Sequence, residues 1–253
     1  EDELPIVAPP SDEEWERRKL LSEYRSLKCQ RTKEINKLHA IFEHNGYTQF
    51  VRKDMCSEKN RANILPLLKG YEKEEAERLV ERLNLLEKQI ERLLQKINAE
   101  VENDGKIQKV MTVPGIGPIT ALAYVAYVGD VNRFDNAHQV SNFIGFVPKV
   151  DNSCTICRSG HTTKKGNPLL RSLLVQAAWS TVKSKNGGAL RDKYKYMAES
   201  RCIGKGKSIV TIARKLGELL YLILKTDQEY KPQKFITPEL KISKLAEDAL
   251  ECS

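Results

Sequence analysis

The chain has 253 residues, of which 40% are hydrophobic, and a formal net charge of +8 at pH 7. That length and apolar content suffice for one or two domains with a true core, and exclude a disordered tail or a disulfide-built miniprotein. The charge is unevenly placed: residues 1–104 carry −3, residues 105–226 carry +13 and residues 227–253 carry −2, so the expected partner of the middle segment is a polyanion.

No apolar run reaches membrane-spanning length, and no signal peptide opens the chain. Six cysteines, at 29, 56, 154, 157, 202 and 252, have no secreted-domain spacing, which predicts a reducing interior, and hence a cytoplasmic location. The opening Glu-Asp-Glu-Leu-Pro-Ile-Val-Ala-Pro-Pro reads as a linker over 1–10, entered from an upstream domain.

In chain order the patterns are helical. Ser11 with Glu14 makes a capping box, and three-and-four spacing of Tyr24, Leu27, Arg31, Ile35, Leu38 and Phe42 predicts a helix to about Asn45, stopped by Gly46. A short helix is expected over 57–68, closed by Gly70. From Lys73 to about Val101, Leu79, Leu83, Leu86, Ile90, Leu93 and Ile97 form an a/d heptad seam, the signature of a coiled coil. Its partner is either the first helix folded back or the same helix of a second chain, and a homo-oligomer through this seam is expected. Residues 11–104 are thus read as a helical linker with a coiled coil.

Residues 105–226 read as a compact helical domain. In it, Pro114-Gly115-Ile116-Gly117-Pro118 sits between two helical patterns, resembling a helix-hairpin-helix element over 105–130. Gly115, Gly117 and Thr120 are its candidate phosphate contacts, and a tight turn between packed helices is the structural alternative. Asp135 is expected to cap a helix to about Ile144. The stretch from Gly145 to Pro168 then reads as a polar loop, entering a helix with Asn167 as N-cap and Pro168 at its first position. That loop is expected to gather Lys164, Lys165, Gly166, Arg171 and free backbone amides into an anion site. Further helices are expected over 169–184, 189–201 and 208–225, with Lys205 and Lys207 in a basic turn before the last. Residues 227–253 form a polar tail with a weak helix over 238–250.

Gly145-Phe146-Val147-Pro148, Ser153, Gly160, Lys164-Lys165-Gly166-Asn167 and Leu170-Arg171-Ser172-Leu173-Leu174 resemble the transposase domain of the insertion sequence 110 family, the bridge-RNA-guided serine recombinases. The resemblance runs from the first helix, with Asn36-Lys37-Leu38-His39-Ala40, to Leu224; here Cys154 follows the serine where the family usually has Gly. It implies a DNA transposase in which Ser153 attacks a phosphodiester and forms a covalent serine-DNA intermediate. Lys164, Lys165 and Arg171 would clamp phosphate, and a noncoding guide RNA would choose the DNA sites. It also implies Mg²⁺ held by an N-terminal RuvC-like acidic domain outside this chain, since the six carboxylates of residues 105–226 are scattered.

Three alternatives accompany that reading. Ser159 is the second candidate nucleophile. His161 is a proton shuttle or a surface residue. Cys154, Cys157 and His161 have zinc-like spacing but only Cys202 nearby to complete a set. The competing function is a non-catalytic, oligomerising nucleic-acid scaffold.

Overall fold

The computed structural model describes residues 9–153, 156–163 and 165–232, with the side chains of 148–161 left outside the description. The protein is mostly α-helical. It divides into two compact units, residues 16–99 and the remainder.

The 16–99 unit is built from α1 (Asp12–His44), α2 (Glu58–Ile64) and α3 (Gly70–Asn103). The Ser11 hydroxyl accepts the Glu14 amide at 3.2 Å, the cap the sequence announces. Within the unit, α1 runs antiparallel to α3. Arg31 of α1 reaches Glu87 of α3 at 2.8 Å, and Glu34 one turn on meets Arg82, earlier in α3, at 3.2 Å. Ile35, Leu38 and Phe42 pack with Leu79 and Leu83 in one apolar cluster, closed by Met55, Ile64 and Leu68 from the connection. This part of the heptad seam is therefore filled by the chain's own first helix. Ile90, Leu93 and Ile97 are buried as well, and Leu86 is half-buried. Gly70 does not close the short helix; it opens α3 at φ +61°, a backbone angle glycine adopts without strain.

In the second unit, Asp104 caps α4 (Gly105–Met111) by accepting the amides of Lys106 and Ile107. A turn then leads into α5 (Pro118–Val128), which is buried at nearly every position from Thr120 on and forms the centre of the unit. α6 (Ala137–Ile144) is capped by Asn136 rather than by Asp135. Asp135 instead holds the Gln139 side chain at 2.8 Å. α7 (Pro168–Lys183) and α9 (Lys205–Thr226) pack against each other and complete the core with Leu170, Leu174, Ile212, Leu216 and Leu220. α8 (Gly188–Lys195) continues as a π-helical turn over Tyr196–Ser200. Trp179 on α7 meets Tyr194 of α8 edge to face at 5.8 Å, a packing role.

The largest departure from the sequence reading lies between α6 and α7. The segment expected as a loop is for most of its length an antiparallel hairpin, β1 (Pro148–Ser153) and β2 (Ile156–Thr162). Pro148, at the first strand position, and the β-branched Val150, Ile156 and Thr162 suit that conformation; the run of Asp, Asn and Ser between them obscured the pattern. The last helix also starts earlier than expected, so Lys205 and Lys207 lie in its first turn. The weak helix expected over 238–250 lies outside the described residues.

Candidate nucleic-acid interface

The hairpin rises from a locked base. α6 ends at Gly145, whose left-handed φ of +85° lets its amide reach the carbonyls of Ser141 and Asn142. A side chain there would also meet the Lys165 and Gly166 amides at 3.1 and 2.9 Å, so the returning strand can pass this close only because both 145 and 166 are glycine. The Thr163 amide closes the base on the Val147 carbonyl at 2.8 Å.

Arg171, one turn into α7, ties these pieces together. Its Nη1 donates to the Ile144 carbonyl at 3.1 Å and to the Gly166 carbonyl. One nitrogen of this guanidinium is thus engaged with backbone and helps to seat the hairpin. Burial draws its pKa below the ordinary arginine value. The amides expected to be free after Asn167 are also engaged. Asn167 Oδ1 accepts from Leu169 at 2.8 Å and Leu170 at 3.2 Å, and the Arg171 amide reaches the Asn167 carbonyl. A correct cap thus removes the anion site it was expected to make.

Ser153 is the last residue of β1 and pairs with Ile156. Ser159 lies within β2 opposite Val150, and His161 is near the hairpin base. Lys165 is exposed where the chain leaves the hairpin. Lys164 and Cys154 lie outside the described residues. Among the described residues no group of three or more His, Cys, Asp or Glu is placed to hold a metal ion, and Cys202 is an exposed free thiol.

The two glycines of the α4–α5 turn have different surroundings. Gly115, at φ +93°, lies against α7: a methyl group there would stand 2.6 Å from the Thr181 amide nitrogen and 2.9 Å from the Ala177 carbonyl. The Thr181 hydroxyl also reaches the Pro114 carbonyl at 2.7 Å. Gly117, the N-cap of α5, faces open space, and no side chain caps that helix start. Thr120 is buried. Packing thus accounts for Gly115 and Thr120, leaving Gly117 as the residue of the three open to a ligand. Lys205 and Lys207 are exposed in the first turn of α9, where no side chain caps the helix.

A polar cluster absent from the sequence reading sits between α6 and α9. Glu218, 9% exposed, accepts from Lys215 Nζ at 2.7 Å and the Ser141 hydroxyl at 3.0 Å, with Arg214 Nε at 3.6 Å. The residues are 77 apart in sequence, and helical spacing alone reveals only the 214/215/218 part. Burial and the charges of Lys215 and Arg214 also draw down the nearby Lys193 ammonium.

Burial pushes the Glu218 carboxyl up, but hydrogen bonds from Lys215 and Ser141, with the neighbouring charges, outweigh it and hold the pKa below its ordinary value. A carboxylate depressed in the folded state stabilises fully above its unfolded pKa, about 4.3, and that contribution is lost as pH falls through the folded value. Glu218→Gln is therefore expected to lower stability at pH 7 by about 1–3 kcal/mol. It should also flatten the decline of stability below about pH 4.3. Denaturant titrations of both proteins at several pH values check this, and a parallel decline in both would contradict it.

Residues 107–195, from within α4 to the end of α8, match the family described as "Transposase IS116/IS110/IS902 family". The likeness to that family rests on this segment, about a third of the chain. The chain is 37% identical over 105 residues to a "Probable family 20 transposase" of Pseudomonas aeruginosa, an alignment covering 42% of this chain and 31% of that protein. It is 30% identical over 139 residues to the "Transposase for insertion sequence element IS1111A" of Coxiella burnetii, covering 54% of this chain and 38% of that one. A third relative, the "Transposase for insertion sequence element IS1328" of Yersinia enterocolitica, is 26% identical over 157 residues, 60% of this chain and 46% of that protein. The chain thus spans between about a third and a half of these relatives' lengths. The hairpin, its glycine-lined base and Arg171 all lie inside the matched segment. No described helix is long and apolar enough to cross a membrane.

Proposed function

We propose that this chain is the DNA-gripping and nucleophile-bearing part of a transposase, and that Ser153 is the nucleophile. The observation that carries the reading is the position of Ser153 as the last residue of β1, in a hairpin whose base is clamped by Gly145, Gly166 and Arg171, within a segment of net charge +13. A nucleophile in phosphoryl transfer works by position, and a rigid base supplies it. Ser153 Oγ attacks a backbone phosphorus, the Oγ–P bond forms, one P–O ester bond breaks, and the released deoxyribose oxygen leaves as a hydroxyl once protonated. The serine proton passes to a base. Lys165, exposed where the chain leaves the hairpin, and Lys164 are proposed to neutralise the phosphate.

The acidic groups and Mg²⁺ that would complete such a site are proposed to come from a RuvC-like domain outside this chain, and a guide RNA to select the sites. Gly117, Lys205 and Lys207, open at their helix starts, are proposed to hold the phosphate backbone without reading sequence. Assembly of copies belongs to the same proposal, through a surface other than the α3 seam residues buried within the chain. The non-catalytic scaffold is favoured by one observation: the α7 amides, expected to receive phosphate, are occupied within the protein, as is Nη1 of Arg171.

Cleavage of a supercoiled target by the chain supplied with the acidic domain, guide RNA and Mg²⁺ separates the two. Ser153→Ala should abolish cleavage and leave the salt-dependent DNA affinity within about twofold. Cleavage retained by Ser153→Ala would reject Ser153.

A further inference from the structure

Phe143, on α6, is 39% exposed, although its neighbours Ile144, Gly145 and Phe146 are buried. The guanidinium of Arg133 lies over it, 4.7 Å from the ring centre, and equally over Phe134 at 4.6 Å. The two rings meet edge to face, 5.5 Å apart. Phe134 is fixed from beneath: its ring meets Tyr221 at 6.5 Å, and its carbonyl accepts from the Tyr221 hydroxyl at 2.9 Å and from Lys225 at 3.2 Å.

The carboxylates on either side of Arg133 are committed elsewhere. Asp130 caps the short turn at the Asn132 amide, and Asp135 holds Gln139. Among the described residues Arg133 forms no ion pair, and it is exposed. The contrast is with Tyr71 and Arg78 in the other unit, a comparable pair at 5.4 Å whose guanidinium has Glu74 at 3.8 Å. The arrangement at Arg133 is a rigid, positively charged, half-exposed aromatic surface. It stands beside the hairpin's exit, since the Phe143 carbonyl lies against Gly166, next to exposed Lys165.

A flat π-face bearing an unneutralised guanidinium matches the faces of an unpaired nucleobase, with its phosphate within reach of cations. A fully paired duplex hides those faces in its stack and offers only edges and backbone. We propose that Arg133 and Phe143 form a stacking platform for an unpaired base of a single-stranded nucleic acid at the foot of the hairpin. This rests on the reading of the segment as a nucleic-acid binder, and deepens it: the strand at the site is locally unpaired.

The test is binding of the chain to fluorescent 12-mers of thymidine DNA and of uridine RNA, and to a DNA duplex, at one salt concentration. Phe143→Leu keeps the apolar volume and removes the ring; Phe143→Tyr keeps both. Phe143→Leu is expected to weaken single-strand binding about 5- to 150-fold. It should leave duplex binding within twofold, and Phe143→Tyr should restore wild-type affinity. A loss confined to the thymidine or to the uridine strand supports the platform and names its source.

Single-strand affinity unchanged in Phe143→Leu, while wild type binds and Lys165→Ala weakens it, overturns the platform and leaves the nucleic-acid reading standing. Wild type that binds none of the three at low salt overturns both. Equal losses on single strand and duplex, with a lower melting temperature, mark Phe143 as packing only and overturn the platform. A shift of oligomeric state in Phe143→Leu, seen by sedimentation, assigns the surface to a second copy and also overturns it.

Discussion

Glu87→Ala is expected to destabilise the 16–99 unit by about 3–5 kcal/mol, the largest effect of any single side-chain removal proposed for this chain. Arg61 is 1% exposed, with its Nη2 on Glu87 Oε2 at 2.7 Å and on Asn84 Oδ1 at 2.9 Å, and its Nη1 on the Met55 carbonyl at 3.1 Å. Glu87 is shared with Arg31, at 2.8 Å. Burial raises the Glu87 carboxyl, yet hydrogen bonds from Arg61 and Arg31 dominate and hold it below its ordinary value. Without Glu87, Arg61 keeps its charge inside a unit whose other buried groups are largely apolar. Nothing remains there to compensate it but an amide and a carbonyl. Replacing both partners, Arg61→Met with Glu87→Leu, should recover most of the loss, because the cost belongs to the orphaned charge and not to the missing attraction. Urea denaturation followed by far-UV circular dichroism measures both. A single-variant loss under about 1 kcal/mol would show that Arg61 escapes to water.

The second large effect is expected at Gly115. Gly115→Ala places a methyl group 2.6 Å from the backbone nitrogen of Thr181, in the middle of α7, at a φ of +93°. The backbone angle alone costs about 1–3 kcal/mol, and a helix backbone cannot withdraw as a flexible side chain does. A total of about 3 kcal/mol or more is expected. Gly117→Ala, two residues on, has an ordinary φ of −99° and no atom within 4 Å. It should change stability by about 0.5–1 kcal/mol at most. The pair separates folding from binding. A well-folded Gly117→Ala with weakened DNA affinity assigns that residue to phosphate, whereas undiminished affinity would withdraw it from the interface. Tolerance of Gly115→Ala at wild-type melting temperature would contradict the packing described for the turn.

What was readable in the sequence was local. Asn167-Pro168 declared the start of α7 because a cap involves residues two or three apart, and Ser11 declared α1 for the same reason. The heptad seam placed α3 to within three residues of its start, since periodicity accumulates over eight turns. The hairpin was hidden because strand pairing is a relation between 148–153 and 156–162, and the polar residues within it mimic a loop. The same distinction explains the site. Gly145, Gly166 and Arg171 stood out by residue type, but that Arg171 Nη1 donates to the Ile144 carbonyl, 27 residues away, is a tertiary fact. The Arg133–Phe143 contact joins a turn to a helix ten positions on, beyond the reach of any helical or strand period.

The central claim, that the hairpin delivers Ser153 to a DNA phosphorus, is tested most directly by trapping the intermediate. The chain is combined with the acidic domain, guide RNA, Mg²⁺ and a nicked suicide DNA, and any protein–DNA adduct is resolved on a denaturing gel and mapped by peptide mass spectrometry. The account predicts an adduct on Ser153 that Ser153→Ala removes and Ser159→Ala retains. An adduct on Ser159, or none while DNA remains tightly and salt-sensitively bound in the presence of a guide RNA shown to be the right one, would contradict it.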